Sequence, residues 1–69
     1  MATYPPIYLN WKGPAGRETI DEVDRATFGE GREGFKACRA EVRRLIDEYA
    51  LAGMPGVYSS SRPCANWRA

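Results

Sequence analysis

Glu48-Tyr49-Ala50-Leu51-Ala52-Gly53-Met54-Pro55-Gly56-Val57-Tyr58-Ser59-Ser60-Ser61-Arg62-Pro63-Cys64-Ala65-Asn66-Trp67 is the stretch that decides the fold. Helix formers run to Ala52, Gly53 can take the left-handed cap, and Pro55 prevents the helix from continuing. Beyond that corner, Gly56-Val57-Tyr58-Ser59-Ser60-Ser61-Arg62 reads as a strand, with Val57 and Tyr58 on opposite faces. A lone strand cannot satisfy its backbone, so this one needs a partner.

Upstream of the corner the helix is plain. Phe35, Cys38, Val42, Leu45, Ile46 and Tyr49 recur at spacings of three, four, three, one and three, which places them on one stripe from about Arg32 onward. Phe28-Gly29-Glu30-Gly31 reads as the loop before it, and Glu30 and Glu33 suit the positive end of the helix dipole. Further back, Tyr4-Pro5-Pro6 starts extended. Ile7, Leu9 and Trp11 then alternate with Tyr8, Asn10 and Lys12, the period of a half-buried strand. Trp11 is expected in the core with Ile7 and Leu9.

Gly13-Pro14-Ala15-Gly16 is a turn signal. The segment Arg17 to Asp24 fits two structures: Thr19 with Glu22 forms a helical capping box, whereas a strand here returns along Ile7–Trp11 as a hairpin. The hairpin is the expected structure, because the turn invites return and the first strand needs a partner. Ile20 and Val23 cannot share a face of a regular strand, so a bulge or a short strand is expected. The expected fold is α+β in the order ββαβ: a hairpin, one long helix and a C-terminal strand. The helix packs on one face of a small antiparallel or mixed sheet.

The 69 residues make one domain, near the lower size limit for a chain that folds without staples. Apolar residues at 43% and charged residues at 28% are ordinary for a globular chain and argue against wholesale disorder. Ten basic against nine acidic residues leave a net charge of +1, which argues against a dedicated nucleic-acid binder and against an acidic DNA mimic. Met1 to Tyr8 has no basic start followed by an apolar run, and no stretch nears the ~20 apolar residues of a membrane span. A cytoplasmic protein with no membrane partner is expected. Two cysteines are too few for a disulfide scaffold, and buried or half-buried inert thiols are the expected state of Cys38 and Cys64.

The C-terminal motifs quoted above carry a resemblance. A helix ending in Glu48-Tyr49-Ala50-Leu51-Ala52, followed by Tyr58-Ser59-Ser60-Ser61-Arg62-Pro63-Cys64-Ala65-Asn66-Trp67, resembles a group of small uncharacterised bacteriophage and prophage proteins. Glu18-Thr19-Ile20-Asp21-Glu22-Val23-Asp24 is similar to the second strand of that group. The resemblance implies a phage accessory protein working in the bacterial cytoplasm and supports the strand at 17–24. It transfers no catalytic residue.

Chemistry is sparse. The chain has no histidine, which removes the commonest general base and metal ligand. Cys38 and Cys64 alone do not make a metal site. Gly29-Glu30-Gly31 lacks the lysine and the preceding buried strand of a phosphate loop. A non-enzymatic protein with no cofactor is expected.

Two sets of residues are candidates for binding. Arg32, Lys36, Arg39 and Arg43 recur at intervals of four, three and four beside the apolar stripe, a row that suits phosphates or an acidic protein surface. The competing reading is a solvated flank, with Asp47 four residues after Arg43 and Glu48 four after Arg44. The second set is Tyr8, Tyr58, Arg62, Asn66 and Trp67. Tyrosines on the outer sheet face and an Arg/Asn/Trp tail suit a partner surface. Its competing reading is structural: Trp67 as a core lid, Asn66 bonded to backbone, and Arg62 paired with Asp21 or Glu22. The expected function is a small interaction protein that binds and inhibits a host protein or complex, such as one of host defence. The alternative is an anion, nucleotide or nucleic-acid binder. Small size and an unpaired sheet edge also give a homodimer a route.

Overall fold

A computed structural model describes residues 5–29 and 31–64. Two strands, β1 (Ile7–Gly13) and β2 (Gly16–Val23), precede a short 3-10 turn at Arg25–Phe28. The helix α1 (Gly31–Leu51) and the strand β3 (Tyr58–Ser60) follow. The sheet is antiparallel throughout, in the order β2-β1-β3, so the ββαβ arrangement expected from the sequence is the fold.

The hairpin closes over Pro14 and Ala15, with Gly13 paired to Gly16. Gly16 sits at φ +112°, a backbone state that favours glycine, and this lets the second strand leave the turn in register. Leu9 faces Asp21 but the next pair is Asn10 with Thr19, so Ile20 is the extra residue of a bulge. That bulge resolves the conflict noted above: Ile20 and Val23 both pack on the core.

Asp24 caps the 3-10 turn, its carboxylate accepting the Ala26 N–H at 3.0 Å. The sequence pattern marks no element at Arg25–Phe28. The helix start falls at Gly31, one residue before the expected Arg32. Its end is a Schellman cap. Gly53 lies at φ +92°, its N–H donates to Ala50 O at 3.2 Å, and the Met54 N–H donates to Tyr49 O at 2.8 Å.

Leu9, Val23, Cys38, Val42 and Val57 form the buried core, with Ile7, Trp11, Ile20, Phe28, Leu45, Ile46, Tyr49 and Met54 around it. Full burial of each such Leu or Val side chain is worth about 1.5–3 kcal/mol. Phe35 departs from the expected stripe and is 50% exposed. The reason lies one residue earlier. Gly34 is buried against Gly29 and Phe28, so the buried ridge runs Gly34, Cys38, Val42 at intervals of four, and Phe35 is turned about 100° away.

Trp11 is half-buried rather than enclosed. Its ring lies over Gly13, where a Cβ would stand 2.5 Å from the ring carbon Cζ3, and its Nε1–H donates to Pro55 O at 3.0 Å. The indole thereby ties the hairpin to the corner between α1 and β3. That last strand is three residues long, shorter than the expected Gly56–Arg62. Val57 (5% exposed) and Tyr58 (38%) do point to opposite faces.

On the sheet face away from α1 the structure buries polar groups. Asn10 is 2% exposed and Thr19 0%. The Thr19 hydroxyl donates to Asn10 Oδ1 at 2.7 Å and accepts the Cys64 N–H at 2.6 Å, so the chain after β3 crosses this face and latches onto it.

Candidate functional site

The helix supplies the more complete surface. Arg32, Lys36, Arg39 and Arg43 are all exposed on α1, as their spacing requires. Among the described residues none of the four forms an ion pair, and Arg44 engages Glu41 and Glu48 of the same helix. Arg44 Nε donates to Glu41 Oε1 at 2.6 Å, and its Nη1 bonds Glu48. The Glu48–Arg44 pair is the one the sequence spacing suggested. The companion pair, Asp47 with Arg43, does not form. The Arg44 hydrogen bond holds the Glu41 carboxyl below its ordinary value.

Phe35 stands among these cations. The Arg39 guanidinium lies 5.7 Å from its ring centroid and that of Arg25 lies 5.9 Å away, both within cation–π range. Arg25 was not singled out from the sequence. It is 7% exposed, and its Nη1 donates to Gly29 O at 2.6 Å and its Nη2 to Gly31 O at 3.5 Å. It thus braces the loop that enters α1. Only its place just after Asp24 hinted at this, since nothing in local spacing marks an arginine that folds back on carbonyls four and six residues on.

Beside Phe35 and Arg39 lies a groove of about 200 Å³ between α1 and the β3 side of the sheet. Ile7, Val42 and Ile46 make its apolar lining, Ser59 its sheet-side wall, and Arg39 and Arg43 its charged rim. No local spacing marks this groove, because its walls come from three separate elements.

The second predicted set lies elsewhere. Tyr8 pairs with Ser60 and Tyr58 with Asn10, so both tyrosines stand on the face opposite Leu9 and α1. Tyr8 is half-buried and engaged, Tyr58 is 38% exposed, and Arg62 is exposed. Arg62 makes no ion pair with Asp21 or Glu22. Asp21 instead accepts the Tyr49 hydroxyl at 2.8 Å, while the Arg62 N–H donates to Ser60 Oγ at 3.2 Å. Asn66 and Trp67 lie outside the described residues. The sheet therefore separates Tyr8 and Tyr58 from the cationic row of α1.

It separates the thiols as well. Cys38 is fully buried in the helix-side core, and burial pushes its thiol up from the ordinary value. Cys64 is half-buried on the far face beside Thr19, and both thiols are free. Among the described residues, no group of three or more Cys, Asp and Glu gathers to hold a metal ion. No described helix is long and apolar enough to cross a membrane. No family model, curated protein or solved structure matches the chain.

Proposed function

We propose that this chain is a non-enzymatic interaction protein that docks an acidic surface of another protein on the exposed side of α1. The observation that carries this reading is the groove of Ile7, Val42 and Ile46, rimmed by Arg39 and Arg43, which form no ion pair among the described residues, with the exposed Phe35 four residues before Arg39 on α1. An exposed aromatic that a partner can bury, with charge around it, gives a compact interface both affinity and orientation. Taken with the resemblance of the C-terminal motifs to small phage proteins, the reading extends to a phage accessory factor. It would act in the bacterial cytoplasm and inhibit a host protein or complex, such as one of host defence.

A second reading has one observation in its favour. Phe35, with the Arg39 guanidinium 5.7 Å from its ring and Arg32, Lys36 and Arg43 exposed on the same helix, is also a stacking platform beside phosphate-binding groups, which suits a nucleotide or a single-stranded nucleic acid.

Affinity capture from bacterial lysate, with and without nuclease, tests both. Reversal of Arg32, Lys36, Arg39 and Arg43 to glutamate is expected to abolish capture of a nuclease-resistant protein. Tyr58→Ala with Arg62→Ala, on the far face, is expected to leave capture intact. The opposite pattern would move the partner surface to the far face. Recovery of nucleic acid or nucleotide, lost steeply with salt, would establish the second reading.

A further inference from the structure

The groove rimmed by Arg39 and Arg43 runs along an unpaired sheet edge, and this specifies how a partner enters it. The sheet ends in β3, whose residues Tyr58–Ser60 pair only with Tyr8–Asn10 of β1. Among the described residues, no other segment makes a backbone hydrogen bond to that strand. Ser59 lies opposite Leu9, hence on the helix side, and it lines the groove. A second hollow, of about 330 Å³ and lined by Pro5, Pro6, Ile7 and Ser59–Ser61, adjoins it and shares Ile7 and Ser59. Both hollows therefore border β3 at Ser59.

We propose that β3 receives an extended acidic segment of the partner protein as a fourth strand. The added strand would lie about 4.8 Å beyond β3 and present alternate side chains to the groove. Apolar side chains would seat on Ile7, Val42 and Ile46, and carboxylates would meet Arg39 and Arg43. This rests on the reading of α1 as the docking face and adds the mode of binding.

Two comparisons within the molecule select this edge and this occupant. The free edge of β2 carries Arg17, Glu18, Asp21 and Glu22 and is distorted by the bulge at Ile20, both devices that deter strand addition. The Tyr-Ser-Ser edge of β3 carries neither charge nor bulge, its brevity being the one such device it has. A second copy of the chain added at β3 would set its own Arg39 and Arg43 against the first pair, like charge on like charge. A strand bearing carboxylates has the complementary charge.

The test is selection of a random ten-residue peptide library against the purified full chain, followed by fluorescence anisotropy with the enriched peptides. Enriched sequences should alternate Asp or Glu with Val, Ile or Leu. Arg39→Glu with Arg43→Glu, at two exposed positions, should weaken binding at least tenfold, with the fold checked by circular dichroism. Arg17→Glu on the β2 edge should leave it unchanged. N-methylation of alternate peptide amides should weaken binding at least tenfold in one phase and be tolerated in the other.

Charge-dependent binding that tolerates N-methylation in both phases would overturn strand addition and leave the docking face standing. Enriched peptides indifferent to the charge reversal would overturn both. Failure of any peptide to enrich would overturn strand addition alone, the docking face then resting on the capture experiment. A sedimentation equilibrium showing dimers that exclude an enriched peptide would assign the edge to a second copy and overturn the acidic partner.

Discussion

Gly34 shows how one missing side chain sets the packing of the molecule. A Cβ built there would stand 2.7 Å from Phe28 O and closer still to Gly29 O, both backbone atoms of the loop that precedes the helix. Gly34→Ala therefore has to push α1 off that loop. We expect a loss of about 1–3 kcal/mol, typical of overpacking, read as a fall in the thermal midpoint by circular dichroism. An unchanged midpoint would mean that the loop yields freely. At the same scale, the two thiols should differ in reactivity. Ellman's reagent is expected to modify Cys64 in the folded protein and Cys38 only on unfolding. Burial raises the Cys38 pKa above its unfolded value. The stability from burying the neutral thiol is thus full below the ordinary thiol value of ~8.5 and is lost as pH rises through the folded value. Denaturation titrations from pH 7 to 10 should show this decline in the native chain, and a weaker one in Cys38→Ala.

Among the elements, β2 depends on polar groups as much as on apolar ones. Thr19 joins Asn10 in β1 to the Cys64 amide of the crossing segment, and both side chains are buried. Thr19→Val keeps the shape and removes the hydroxyl, leaving Asn10 Oδ1 and the Cys64 N–H without that partner. A cost of about 1–3 kcal/mol is expected by urea denaturation, with Thr19→Ser close to the native value. Equal stability of the valine and native proteins would show that water replaces the hydroxyl.

The elements were legible in the sequence because their signals are local. Alternation in Ile7–Trp11, the Gly13–Gly16 turn, the helical stripe and the Gly53 stop each fall within one segment. The clash between Ile20 and Val23 even announced the bulge. What the sequence hid depends on contacts between segments. Thr19 reads from the sequence only as a capping-box candidate, whereas in the fold it is buried and bonded to Asn10 and to the Cys64 amide. Phe35 fitted the stripe by spacing, but the close approach at Gly34 rotates the buried ridge away from it. The candidate site divides the same way. The cationic row was visible as a spacing, whereas the groove it rims needs β1, α1 and β3 to meet.

At the scale of the whole molecule, the sheet works as a partition. One side carries α1, the apolar core and the groove rimmed by Arg39 and Arg43. The other carries Tyr58, Arg62 and the Asn10–Thr19 pair. Substitutions that change binding on one side should therefore leave the other unaffected, and double variants across the sheet should combine additively. The exposed pairs of Arg44 with Glu41 and Glu48 lie in solvent and are screened by salt, so they add little to this division.

The brevity of β3 has a further consequence in time. Three residues hydrogen-bonded on one side only make a poor anchor, whereas β1 lies between two strands and beneath a helix of 21 residues. Native-state amide exchange should therefore resolve two cooperative units. The amides of Tyr58–Ser60 and Cys64 would exchange through small openings that leave the hairpin and helix intact, and those around Leu9 and Val42 only through global unfolding. The edge strand is then also the first part of the molecule to let go, and any chain that pairs with it would slow that release.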